Sequence, residues 1–187
     1  MSLTLRTMQL AGSFAFAADG GTETISSVAH TVSSTYAPAN NSALYLPMGN
    51  VPRYTFSPNQ KEIPVRGPIN GQYQKLKTII TGYDPTITHT LTEWHEVSLQ
   101  SVKGLAAAPT AGGGTAQPFV LGTPILGWLL LKTYDQTGVE VWEDILRVEY
   151  KVAQHQAAEG QITYEAMYNI FKNSLNTNAL LSGFVAN

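Results

Sequence analysis

The sequence predicts a mainly β fold, an antiparallel β-sandwich or barrel with one short flanking α-helix, a long loop and terminal arms. Two observations carry that expectation, and a third bears on the surface. Gly127-Trp128-Leu129-Leu130-Leu131-Lys132-Thr133-Tyr134 is a β-rich run, and the chain returns after Asp135-Gln136-Thr137-Gly138 with the cleanest period-two alternation it contains. Proline, glycine and asparagine punctuate much of the remainder, as turns between strands do. Charge is scarce: Asp, Glu, Lys and Arg make up 13% of the 187 residues, against roughly 25% in an ordinary soluble domain.

Along the chain, residues 1–36 alternate weakly and are rich in Thr and Ser, giving one or two strands, Ser2–Leu10 and Thr22–Ser33. Ala15-Phe16-Ala17 resembles a signal-peptidase site. Gln9, Gly12 and Ser13 break the apolar run ahead of it and only Arg6 lies upstream, so the segment reads as strand or extended arm. Residues 37–70 carry Pro38, Pro47, Pro52, Pro58, Pro64 and Pro68, with Asn40-Asn41, Gly49-Asn50 and Asn70-Gly71 at turn positions. Each proline removes a ladder donor, so this is a long proline-rich loop with at most short edge strands. Leu44, Tyr45, Leu46, Tyr54, Phe56, Ile63 and Val65 make the loop apolar. Having no periodicity with which to build a local core, these seven are expected to contact another subunit.

Regular structure resumes at Tyr73, bends at Gly82-Tyr83-Asp84-Pro85 and continues as strand through Thr86-Ile87-Thr88-His89-Thr90. Thr90 with Glu93 fits a capping box, or Thr92 serves as the cap, for a helix that Gly104 ends. A Gly-rich connector follows at about 104–118. In the strand after Gly138, Leu146, Val148, Tyr150 and Val152 alternate with Arg147, Glu149 and Lys151, one set to the core and the other to an open face. Val139, Val141 and Ile145 have the opposite parity, which predicts a bulge or sharp twist near Glu143-Asp144. Residues 161–173 suit a strand through Ile162, Tyr164 and Ala166, or a helix through Tyr164, Met167, Tyr168 and Phe171. The whole, 1–187, reads as one domain.

Composition narrows function. The net charge of −2 gives no polybasic footprint for nucleic acid, and without cysteine there is no thiolate ligand, thiol nucleophile or disulfide. A surface this neutral suits a chain that mostly faces copies of itself. His89, Glu93, His95 and Glu96 form one cluster with metal-ligand chemistry, but no HExxH register; acids near a helix start explain it as well. Glu140 and Asp144 would share a strand face as a carboxylate pair. Trp128 and Trp142 lie on the same hairpin, but tryptophans so placed are usually core or interface and do not alone make the aromatic-lined cleft that a sugar needs. No nucleophile elbow, P-loop or dinucleotide fingerprint occurs, and no catalytic residue, metal site or cofactor is assigned.

From Thr78 to Leu105 the order is strand, Gly-x-x-Pro bend, Thr-rich strand and short amphipathic helix. Then Gly127-Trp128-Leu129 opens a hairpin that turns at Tyr134-Asp135-Gln136-Thr137-Gly138, with Val141-Trp142 after it. Over Lys75 to Val152 this arrangement resembles the tail tube proteins of tailed bacteriophages. The resemblance implies a structural, non-enzymatic virion protein. Made in the host cytoplasm, it would assemble into hexameric rings that stack into the tail tube, the conduit for genome ejection. It implies self-association, sheath, baseplate or tail terminator partners, passage of DNA without specific binding, and no membrane. The excursion from Ala37 to Pro68 would be the loop between rings. A capsid decoration or head–tail joining protein would share this neutral, β-rich character. A carbohydrate-binding module or hydrolase is the alternative of another class.

Overall fold

The computed structural model describes residues 8–51, 54–70, 72–91, 124–135, 137–158, 161–171 and 180–184. They form strands β1 (Met8–Ala18), β2 (Thr22–Ile25), β3 (Val28–Thr31), β4 (Leu46–Val51), β5 (Tyr54–Ser57) and β6 (Gln60–Ile69). The chain continues through β7 (Gln72–Tyr83), β8 (Thr86–Leu91), β9 (Ile125–Asp135), β10 (Glu140–Ala158), β11 (Gln161–Ile170) and β12 (Leu180–Phe184). The fold is mainly β and its ladders are antiparallel, as the alternation predicts. Among the described residues there is no helix. The expected helix ending at Gly104 and the connector at 104–118 lie outside the described residues. Thr90 and Leu91 belong to β8, and Leu91 pairs with Tyr164, so Thr90 cannot cap a helix there.

The main sheet has the order β4-β1-β9-β10-β11-β8-β5. Along the far edge of β10, β12 pairs with Trp142–Leu146 and β11 with residues from Val148 onward. The sheet curls until β4 comes near β8, yet among the described residues no ladder joins them. Inside the curl lies the larger core, with Phe14, Phe16, Met48, Leu129, Leu131, Leu146, Val148, Tyr150, Tyr164 and Tyr168 all buried. A second core of Ala17, Val32, Tyr45, Trp128 and Leu130 covers the outer face, with Leu44 and Ile145 packed against it. Trp128 fastens that cover by donating from Nε1 to the Ser33 carbonyl at 2.8 Å.

Burial on both faces explains the parity change in β10. Ile145 is not thrown across by a bulge at Glu143-Asp144. It alternates regularly with Leu146 and lies in the second core, opposite Leu130. The register shift occurs earlier, between Glu140 and Trp142. Leu146, Val148 and Tyr150 form core as expected, and Val152 is half-buried against it. The opposite face is not open as expected. Arg147 is only 5% exposed; its guanidinium donates to both Asp19 carboxylate oxygens at 2.5 Å and lies 5.7 Å from the Trp128 ring centroid. Close packing also fixes Gly127, where a Cβ would come within 2.3 Å of the Ala17 carbonyl oxygen.

Other boundaries shift for local reasons. Ala15-Phe16-Ala17 lies within β1, paired between β4 and β9, with Phe16 fully buried. Thr22–Ser33 is a hairpin rather than one strand, because Ser26 and Ser27 turn it with φ of 50° and 67°. Residues 161–170 are strand, with Tyr164, Ala166 and Tyr168 buried at period two. The proline-rich stretch yields the short edge strands β4 and β5, but β6 is ten residues long. Among the described residues it pairs only with β7, so Pro64 and Pro68 leave no ladder of the main sheet incomplete.

Candidate functional site

The β6–β7 hairpin is an arm: a two-stranded sheet separate from the main one, exposed nearly throughout. Asn70, with φ of 51°, makes its turn. At its base Asn59 donates from Nδ2 to the Asp84 carbonyl at 3.1 Å and to the Thr86 hydroxyl at 3.2 Å, while Lys61 pairs with Asp84 at 3.0 Å.

Register sorts the arm's side chains. Ile63, Val65, Gly67 and Ile69 share one face of β6, with Ile79 and Lys77 opposite Ile63 and Val65. A register shift at Val65/Arg66 leaves Leu76 as the extra residue of β7, and Leu76 leans over Gly67, where a Cβ would meet it at 2.6 Å. The result is an aliphatic stripe with one cation, Lys77, in its middle. Ile63, Leu76 and Ile79 are 55%, 54% and 44% exposed, far more than a core would permit. The other face carries Ile80 and Tyr73, and Arg66 directly opposite Lys75, a like-charge pairing that is destabilising in isolation.

Where the arm leaves the body, a groove of about 280 Å³ opens. Tyr54, Phe56, Tyr83 and Trp142 line it, and Asp144 supplies a carboxylate that accepts from Trp142 Nε1 at 2.6 Å. Burial pushes the Tyr54 hydroxyl pKa up, opposed by its hydrogen bond to Thr133 and reinforced by Asp144. The aromatic cleft that Trp128 and Trp142 alone could not provide is therefore present, built from strands distant in sequence.

The seven residues expected at a subunit contact divide. Tyr45 and Leu44 are covered by their own chain in the second core, and Tyr54 packs against the first. For these three the sequence-based premise of no local core is wrong, because β4 and β5 join the main sheet. Phe56 lines the groove, Ile63 and Val65 lie on the arm's stripe, and Leu46 is an exposed edge residue. Leu76, Ile79, Ile80 and Tyr73 were missed. Consecutive Ile79-Ile80, apolar on both parities after an Asn-Gly turn, was the available signal.

The chemical candidates come apart. His89 is buried in β8, 2.9 Å from the Tyr168 hydroxyl and against the Phe14 ring, while Glu93, His95 and Glu96 lie outside the described residues. Burial holds the His89 pKa down to about 4, with the Thr90 backbone opposing. The bulge between Glu140 and Trp142 separates Glu140 from Asp144. Glu140 joins Glu143 around Lys132, at 3.1 and 3.4 Å, whereas Asp144 faces the groove. Burial disfavours the Lys132 ammonium, but the two carboxylates outweigh it and raise its pKa. Among the described residues no cluster could hold a metal ion. Comparison with protein-family models and with curated proteins returns no match.

Proposed function

We propose that this chain is a structural subunit that assembles with copies of itself into hexameric rings stacked as a tail tube, a conduit for a phage genome. The exposed apolar arm carries the proposal. Seven large hydrophobics between Ile63 and Tyr83 are at least 38% exposed on a chain of only 13% charge. Patches of this kind on soluble proteins mark interaction surfaces. Covering the exposed half of four of them would contribute about 3–6 kcal/mol. In this reading the curled sheet is the sandwich or barrel of the subunit, and the arm takes the tying role expected of the proline-rich loop. The partners are other copies first, then sheath, baseplate or terminator proteins at the ends.

The groove favours a second reading, a carbohydrate-binding module, since aromatic faces beside a carboxylate are suited to a sugar. Sedimentation velocity with negative-stain imaging of the purified chain decides between them. Rings and tubes are the expected result. A protein that remains monomeric at high concentration and binds a glycan array overturns the tube.

A further inference from the structure

Resting on that reading, we propose that the groove of Tyr54, Phe56, Tyr83 and Trp142 receives the β6–β7 arm of a second copy. Its aliphatic stripe covers the rings, and Lys77 meets Asp144.

Three features select this occupant. The first is chemical match. The groove is apolar, four aromatic rings among aliphatic side chains, with a single carboxylate, and the stripe is aliphatic with a single ammonium at its centre. Placing Lys77 beside Asp144 adds an ion pair inside an apolar contact, whereas a wholly apolar visitor would leave the carboxylate facing hydrocarbon. The second is charge. Residues 60–83 hold Lys61, Arg66, Lys75 and Lys77 against Glu62, a net of +3, on a chain of net −2, so the remaining residues carry −5. Among the described residues Arg66, Lys75 and Lys77 form no ion pair. A basic arm on an acidic body is complementary to another body of the same kind. Phosphate would satisfy the cations but not Ile63, Leu76 and Ile79, which favours a protein surface over nucleic acid.

The third is reach. Ten paired residues extend about 33 Å, and the arm begins at the rim of its own groove, where Tyr83 is both the last residue of β7 and a lining residue. The stripe is thereby carried away from that groove towards a neighbour. Donor and acceptor are different surfaces, so the contact is head-to-tail; such contacts close into rings or continue as filaments.

Complementation between two full-length variants tests this. Ile79→Asp spoils the arm and keeps the groove; Phe56→Asp spoils the groove and keeps the arm. Both sites are exposed, and circular dichroism confirms that each variant folds, with Ile79→Ser and Phe56→Ser as milder replacements. Neither variant should assemble alone, and an equimolar mixture should stop at a 1:1 dimer, because only one productive arm–groove contact remains. Native protein that assembles while Phe56→Asp also assembles overturns the arm–groove contact and leaves the tube reading standing. Native protein that never self-associates overturns both. Loss of duplex-DNA or glycan binding in these variants, with self-association intact, assigns the arm or groove to that ligand and overturns the proposal.

Discussion

Val148 is fully buried in the larger core, between β9 and β11. Val148→Asp would place a carboxylate there without a partner, at a cost of several kcal/mol, comparable with the whole stability of a small domain. The variant is expected to be unfolded by circular dichroism, whereas Glu149→Lys, at a half-buried outer position, keeps the fold. The alternation that identified Val148 also placed Arg147 on an open face. Alternation reports which residues share a face, not what covers the other one, and the Asp19 carboxylate that neutralises Arg147 lies 128 positions away. His89 shows the same limit. Its neighbours Phe14 and Tyr168 come from β1 and β11, so neither its burial nor its lowered pKa could be read locally. Its folded pKa of about 4 lies below the ordinary 6.5, so the unfolded chain binds more protons between those values and stability falls as pH drops through that window. The full effect is about 3 kcal/mol. Denaturant melts at pH 7 and pH 4.5 should show most of it, and a His89→Phe variant should lose that part of the slope.

At the scale of elements, strands bounded by turn residues were legible, and what covers their second face was not. β8 was located because one parity is apolar, and β9 as a β-rich run between glycine and turn residues, although β9 and β10 are covered on both faces. β10 was misread at Ile145 because apolar residues on both parities look like a bulge when a second core is not anticipated. The arm was half-read for a related reason. Proline in β6 suggested loop, and alternation in β7 suggested regular strand, although the two form one exposed hairpin. Its separation from the main sheet makes it removable. Replacing residues 61–82 by a short Gly-Asn-Gly link is expected to leave thermal unfolding within a few degrees of native and to abolish assembly in sedimentation velocity. A body that melted cooperatively only with the arm present would show that the arm belongs to the core.

Across the whole molecule, the low charge and the composition led to the expectation of a chain that faces its own copies, and the proposed arm–groove contact gives that expectation an address. The connectivity has a further consequence, in time rather than in space. Ser13 and Tyr134, bonded at 3.2 Å across the β1–β9 pairing, are 121 positions apart, and the central sheet cannot form until both ends of the chain are present. The arm needs only its own 24 residues and an Asn-Gly turn. Hairpins close in about 1–10 μs, whereas sheets dominated by distant pairings take milliseconds to seconds. Pulse-labelled hydrogen exchange during refolding is therefore expected to protect Ile63 and Ile79 amides before those of Phe14 and Leu131. The adhesive element is then ready before the body that should receive it, and subunits refolded at high concentration should lose soluble yield to premature contacts between arms, which dilution restores.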